Sequence, residues 1–509
     1  MRHTKFALAL LSGAVLTACG GGDKGPTIDN TLTRGSLFAS PPNLVPIPQA
    51  DGTAKSKLEP GVFAAMLEAG QPGITQVTGV PKCAISTYYM KFGTVGGKGE
   101  ATDASGAIMV PSGTDPACNG PRPVVLYAHG TTPEKKFNMA NLRDNSEASL
   151  VAAMYAAQGF IVVASNFAGY DTSSLSYHPY LNAEQQANDS VDALRAARKA
   201  FPAIGASDSG KLLLTGYSQG GFVAMATQRA MQTTYASEFK VTALAGLSGP
   251  YAFSLLGDVT IGGSPNVGGT VFVPMITSSF QNSYGGIYTT PADMYEAKYA
   301  TGIDTLLPGP MSYDQLFSSG KLPQTALFAA DSLPGPSTPQ FAPFFGANNL
   351  IKSSYRSAYL ADAAQNPCNV DPANPLNCTP AHPLRKAFVK NDLRTYVPTV
   401  PVLLCGGHSD PTVFFASAQA TAGYFTAKGM PAAALTLLDV DSSPTSASDP
   451  YAAAKVGFGQ TKTAAINAAV KAGIDPAVAI AGSYHGTLVV PFCTAAARGF
   501  FQGVLAQAQ

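Results

Sequence analysis

The 509-residue chain has no tryptophan, and only 12% of its residues are charged, about half the usual share of roughly 25%. So little charge excludes a disordered polyelectrolyte, because the 46% of apolar residues can offset chain entropy by burial in a core. Neither sign is in excess: 32 Lys and Arg face 31 Asp and Glu, a net +1. That leaves no electrostatic footprint for nucleic acid, and no nucleic-acid partner is expected. No internal repeat is evident. No Cys-x-x-Cys pair occurs, and no histidine stands at metal-ligand spacing beside a cysteine, so neither a metal nor another cofactor is expected. What the chain does have is 51 Gly and 39 Pro among 21 Tyr and 26 Phe, the composition of a loop-rich globular protein. Its length is about three times the ~150-residue domain prior, which suits one large domain with insertions or two to three small ones.

The N-terminus carries address information. Arg2, His3 and Lys5 precede an apolar stretch from Phe6 to Leu16. It falls short of the ~20 residues that span a bilayer and reads as an export signal over residues 1–18. The stretch ends in Leu16-Thr17-Ala18-Cys19-Gly20, which resembles a bacterial lipobox. The resemblance implies cleavage before Cys19 and its acylation, and two or more acyl chains give a stable membrane anchor. Gly20 in place of aspartate favours the outer membrane, with the protein on its periplasmic face or at the cell surface. Residues 19–60 then read as a Gly/Pro/polar tether without structure. The six other cysteines (Cys83, Cys118, Cys368, Cys378, Cys405 and Cys493) read in an exported protein as three disulfides with fifteen possible connectivities.

From Pro121 short apolar runs alternate with helical stretches, the signature of an α/β protein with a mostly parallel sheet. Strands are expected at 124–128, 160–165, 211–215 and 241–247, with helices at 147–158, 183–200 and 219–235. Asn182 is placed to cap the second helix. The rhythm breaks between residues 251 and 391, a Gly-, Pro- and Phe-rich stretch with helix candidates such as 353–365. It returns with strands at 401–405 and 435–440, helices at 414–428 and 464–472, and a closing helix from about Thr494. The organisation expected is a core of residues 61–250 and 392–509 interrupted by a cap over 251–391, because a structureless insertion of that length is improbable.

The chemistry centres on Gly216-Tyr217-Ser218-Gln219-Gly220. A Gly-x-Ser-x-Gly match is common by chance, but here it joins the strand Leu212-Leu213-Leu214 to a helix opening at Gln219. A sharp strand-to-helix bend is what exposes a nucleophilic serine hydroxyl. The helix start also presents the Gln219 N–H to a developing oxyanion. A serine nucleophile needs a histidine base and a carboxylate to orient it, in the chain order Ser, acid, His. His485, in Gly482-Ser483-Tyr484-His485-Gly486, is the expected base, on a loop leading into the last helix; His408 is its alternative. Asp410, just past the strand 401–405, is the expected acid, with Asp439 and Asp441 as rivals. A second oxyanion donor is expected from the turn after strand 124–128, at the Thr131 N–H or else Thr132. His129 reads as structural.

These segments carry a family resemblance. Leu126-Tyr127-Ala128-His129-Gly130-Thr131, His178-Pro179-Tyr180-Leu181, Asp192-Ala193-Leu194-Arg195 and Gly216-Tyr217-Ser218-Gln219-Gly220-Gly221 together resemble the secretory lipase family. That family is similar to fungal lipase A-type enzymes. The resemblance implies an α/β-hydrolase fold with a cap over a Ser-Asp-His triad, acting on esters and acylglycerols, here in a bacterial lipoprotein. Low charge and Phe341, Phe344 and Phe345 in the cap suit a neutral apolar ester, small or polymeric. An exopeptidase on the same fold would need a charged recogniser in the cap, for which Glu296, Asp304 and Asp331 are available. A non-catalytic surface binding protein is the third reading. If Asp410 and His485 meet, the nearby Cys405 and Cys493 are brought within disulfide range. Cys368 would then pair with Cys378, and Cys83 with Cys118.

Overall fold

The computed structural model describes residues 27–28, 33–48 and 53–507. The export signal and the lipobox with Cys19 lie outside the described residues. The scaffold is a nine-stranded sheet. In chain order its strands are β1 (Asn43–Leu44), β2 (Ala84–Val95), β3 (Ala101–Ser112), β4 (Arg122–Ala128), β5 (Ile161–Ser165), β6 (Asp208–Tyr217), β7 (Val241–Leu247), β8 (Val402–Gly406) and β9 (Leu435–Asp439). Across the sheet they run β9-β8-β7-β6-β4-β5-β3-β2-β1. Strands β4 to β9 pair in parallel, and β1 to β3 form an antiparallel edge. The mostly parallel sheet is the one expected from the alternation, and with its helices it is the α/β-hydrolase fold that the resemblance implies.

The helices are α1 (Pro60–Gly70), α2 (Ser146–Met154), α3 (Ala183–Ala200), α4 (Gln219–Thr233), α5 (Phe253–Ile261), α6 (Gly269–Tyr284), α7 (Ser353–Gln365), α8 (Pro383–Asn391), α9 (Ala416–Ala427), α10 (Ala452–Lys471), α11 (Pro476–Ser483) and α12 (Val490–Gln507), joined by shorter turns. The two-residue period of the strands divides the core. Leu212 and Leu214 enter the layer beneath α3, α4 and the cap, whereas Leu213 faces the layer holding α1, α2 and α12. Val124 and Leu126 of β4 join the first layer, Val125 and Tyr127 the second. Asn182 caps α3 as expected, its side-chain oxygen accepting the Gln185 N–H at 3.2 Å.

Residues 251–391 fold over the carboxyl edge of the sheet as helices and turns. Buried Arg385 joins three cap helices, pairing with Asp258 of α5 at 3.2 Å and with Asp362 of α7 at 2.8 Å. The disulfide Cys368–Cys378 closes a short loop between α7 and α8. Cys83–Cys118 ties the start of β2 to the turn before β4, and Cys405–Cys493 ties β8 to α12. These are the partners inferred from the sequence.

Two expectations need correction. The tether does not stay free of structure to residue 60. Arg34 donates to Asp192 at 2.8 Å, to Asn188 at 3.0 Å and to Tyr235 at 3.1 Å. Phe38, Val45 and Leu58 then donate backbone N–H groups to Lys91, Thr87 and Ile85 of β2. A single cation captured by a buried carboxylate, followed by strand addition, orders a segment whose composition looks free. The last helix does not begin near Thr494: helical structure runs from Pro476 to Gln507, so His485 is not on a loop. The long hairpin β2–β3, before Pro121, is an element the sequence pattern did not predict.

Candidate active site

In the sheet β6 lies beside β4, and β4 beside β5, so the strand order reverses at β4. Such a switch point opens a crevice at the carboxyl ends of the strands. The register places Gly216 opposite Ala128, so the turns that follow β6 and β4 stand side by side. Ser218 occupies the first of these turns with φ 58° and ψ −120°, a left-handed conformation that a residue with a side chain rarely adopts. Two glycines make the bend possible. A Cβ on Gly220 would lie 1.8 Å from the Ala128 carbonyl oxygen, and one on Gly216 would lie 2.3 Å from the Gly220 oxygen. The Ser218 N–H donates to the Leu247 carbonyl at 2.8 Å, which fixes the bend from the β7 side.

Three sequence-predicted side chains converge here. The Ser218 hydroxyl lies 2.8 Å from His485 Nε2, and His485 Nδ1 lies 2.7 Å from Asp410 Oδ2. Asp410 is 3% exposed, so its carboxylate answers mainly to its partners. Its other oxygen accepts the N–H groups of Thr412 at 2.9 Å and Val413 at 3.1 Å, which fixes the carboxylate plane. His485 sits in a single π-helical turn, Tyr484–Val489, between α11 and α12. Such a widened turn recurs at functional sites because it bulges a side chain out of register. Tyr217, next to the serine, donates its hydroxyl to the His485 carbonyl at 2.5 Å.

The rival acids have other partners. Asp439 accepts from His408 Nδ1 at 2.8 Å, and Asp441 pairs with Lys462 at 2.7 Å and accepts from the Tyr484 hydroxyl at 2.6 Å. Tyr484 in turn accepts the Ser409 N–H at 3.3 Å, a brace between the π turn and the Asp410 loop.

The two expected oxyanion donors frame the serine. Neither the Thr131 nor the Gln219 N–H has a hydrogen-bond partner among the described residues. His129 is buried between Phe137 and Phe167, with ring centroids 4.3 Å from each. Burial lowers its pKa to about 4, so the ring carries one N–H. Nε2 lies 3.2 Å from the Asn166 oxygen and Nδ1 only 2.7 Å from the Gly130 oxygen, and the shorter contact assigns the proton to Nδ1, which donates to the Gly130 carbonyl. A planar trans peptide then turns the Thr131 N–H away from that carbonyl. Thr131 Oγ1 lies 2.7 Å from the Tyr180 hydroxyl. His178, its pKa lowered to about 3 by burial, donates from Nδ1 to Ala168 and accepts the Gln219 side-chain amide at 2.8 Å. Glu147 of α2 accepts both the Gly130 N–H and the Tyr127 hydroxyl, and withdrawal from water pushes its carboxyl up to about 7. Sequence reading missed Glu147, Tyr217 and Tyr484, whose contacts arise only in three dimensions.

Ser218 opens onto two spaces. One is a cleft of about 1770 Å³ between core and cap, whose wall includes Thr131, Glu147, Phe341, Phe344, Asp410 and His485. The other is a narrow channel under the cap lined by Phe253, Leu256, Ile261, Val273, Ile276 and Phe388. Phe345, the third cap phenylalanine, instead packs on Phe328 and under Arg356. Glu296, Asp304 and Asp331 line neither space. Among the described residues no group of three or more His, Cys, Asp or Glu side chains could hold a metal ion.

The model of the secretory lipase family matches residues 136–299, the same family that the motifs resemble. No curated protein matches the chain. A ligand-bound structure of the rice cell wall degrading esterase LipA from Xanthomonas oryzae is 28% identical, with a TM-score of 0.65 over 83% of this chain and 95% of LipA. Another LipA structure is 27% identical, with a TM-score of 0.65 over 84% of this chain and 96% of that one. A Legionella pneumophila structure, 19% identical with a TM-score of 0.64 over 92% of this chain and 98% of its own, shares the fold. The family match and the likeness to LipA place the chain among the carboxylic ester hydrolases, and the family is one of secreted proteins.

Proposed function

We propose that this carboxylic ester hydrolase cleaves neutral apolar esters, polymeric ones included, through an acyl-enzyme on Ser218. The observation that carries the reading is the hydrogen-bonded line from Ser218 through His485 to Asp410. Ser218 Oγ attacks the ester carbonyl carbon while its proton passes to His485 Nε2. The N–H groups of Gln219 and Thr131 receive the oxyanion. Collapse of the tetrahedral intermediate breaks the acyl C–O bond, and the alcohol leaves with the proton from His485. Water then adds to the acyl-serine, giving its proton to His485, and the carboxylic acid departs as that proton returns to Ser218. Asp410 accepts the Nδ1–H throughout, which holds the reactive tautomer and stabilises the imidazolium.

The two spaces at Ser218 divide the substrate. The apolar channel suits the acyl chain, and the wide cleft leaves room for a bulky or polymeric alcohol portion. The rice cell wall degrading activity of LipA, an esterase of similar fold, is compatible with a large leaving group. The test is a panel of chromogenic esters from acetyl to palmitoyl, run beside peptide substrates, with a fluorophosphonate to trap the nucleophile. Ester turnover with Ser218 as the labelled residue is expected. Peptide cleavage without ester turnover would overturn the reading.

We also propose a lipid anchor at Cys19 in the outer membrane. Cys19→Ser is then expected to release active enzyme in soluble form, followed by fractionation and ester assay. A variant that stays in the membrane pellet through a high-salt wash would remove the anchor from the reading.

A further inference from the structure

The turn after β4 is held by more than its own sequence. The Gly130 N–H donates to Glu147 Oε1 at 2.9 Å, and the Tyr127 hydroxyl donates to the same oxygen at 2.8 Å. Tyr127 is the penultimate residue of β4, and Glu147 lies in the first turn of α2, which Asn145 caps by accepting the Ala148 N–H. One carboxylate oxygen therefore joins the end of the strand, the start of the helix and the peptide that precedes the Thr131 N–H. Gly130 is caught from both sides, its carbonyl by His129 and its N–H by Glu147. A Cβ there would sit at ordinary contact distance, 3.5 Å from the Tyr217 oxygen and 3.6 Å from Glu147 Oε2, so the hydrogen bonds and not crowding hold the peptide. Glu147 also faces the cleft that holds Ser218 and His485, yet its hydrogen bonds go to Tyr127 and Gly130 and not to either of them.

We propose that Glu147 is a positioning residue that fixes the oxyanion-binding Thr131 N–H by anchoring the Gly130 peptide. The inference rests on the reading of Ser218 as nucleophile and adds a residue that no motif supplies. A half-buried acceptor here has a geometric role. Without it the Gly130 N–H is orphaned in the cleft wall, and the peptide can rotate to find another partner. Rotation carries the neighbouring Thr131 N–H off the oxyanion position, where a displacement near 1 Å can cost about 100-fold in rate.

The test compares Glu147→Gln and Glu147→Ala with the unchanged protein. Glutamine keeps an oxygen acceptor, so Glu147→Gln is expected to retain kcat within about threefold, given that the anchoring group is a hydrogen-bond acceptor. Glu147→Ala is expected to lose about 100-fold in kcat with KM nearly unchanged, because the lost contact forms only in the transition state. Affinity for an alkyl boronic acid, which mimics the tetrahedral intermediate, should fall in parallel in Glu147→Ala and hold in Glu147→Gln. A purely structural role would lower the melting temperature without splitting kcat from KM or weakening the boronate. Glu147→Ala with wild-type kcat and boronate affinity would overturn the proposal. So would a Glu147→Gln variant, folded by circular dichroism, that is as impaired as alanine. Fluorophosphonate labelling of Ser218 in each protein separates the two levels. Labelling with no Glu147 effect ends this inference alone, whereas an unlabelled wild-type protein ends the nucleophile reading as well.

Discussion

Replacing Ser218 by alanine is expected to abolish ester hydrolysis, with a fall of roughly 10⁵- to 10⁶-fold in kcat, the scale seen when a serine nucleophile is removed. The fold should survive. The serine side chain makes one hydrogen bond, to His485, and alanine removes an oxygen from a site that already opens onto two spaces. The backbone strain at φ 58° remains with alanine, but the closely packed glycines and the Ser218 N–H bond to Leu247 persist. The measurement is ester turnover beside a thermal melt and fluorophosphonate labelling. A variant that keeps turnover would dismiss Ser218, whatever its geometry.

The second large effect is expected at Asp410. In Asp410→Asn the two backbone N–H groups of Thr412 and Val413 select the amide oxygen as their acceptor. The amide nitrogen must then face His485 Nδ1, which has to accept in place of donating. The ring proton moves to Nε2, the atom that should receive the proton from Ser218. A loss of about 10⁴-fold in kcat follows from the wrong tautomer, with little change in substrate affinity. Asp439→Asn tests the alternative assignment, because Asp439 serves His408 on the outer side of the same loop. It should leave kcat within a few fold, an estimate that treats the exposed pair as weakly coupled. Severe loss at Asp439 with an active Asp410→Asn would exchange their roles.

What could be read from the sequence follows from where each interaction is encoded. The inner parallel strands were legible because they are runs of Val, Leu and Ala covered on both faces, bounded by turn residues. Strand β7 and helix α7 match their expected spans residue for residue. The β2–β3 hairpin was hidden because it buries Ser86, Thr87, Thr94, Thr102 and Ser105 beside its apolar residues, so hydropathy does not alternate as burial does. Ser218 was visible through local context, and Asp410 and His485 through their order along the chain. The π turn was not, since no residue pattern distinguishes Tyr484–Val489 from the helices around it. Glu147 escaped for another reason. It reaches Gly130 only because β4 and α2 fold back on one another across 17 residues.

The clamp at Arg34 has a mechanical consequence for an enzyme anchored at Cys19. Thr27 and Ile28 already pair with Ser40 and Ala39, so eight positions separate the proposed anchor from the folded chain, and at no more than ~3.6 Å per residue the leash would reach about 30 Å. Had the tether run free to residue 60, its contour would have been about five times greater. If Cys19 is the anchor, the short leash would confine the catalytic domain to a thin shell above the bilayer. Within that shell the enzyme would meet esters delivered to or embedded in its own envelope at high local concentration. A distant insoluble polymer would come into range only when the cell itself settles on it, which would make adhesion of the cell a step in the turnover of such a substrate.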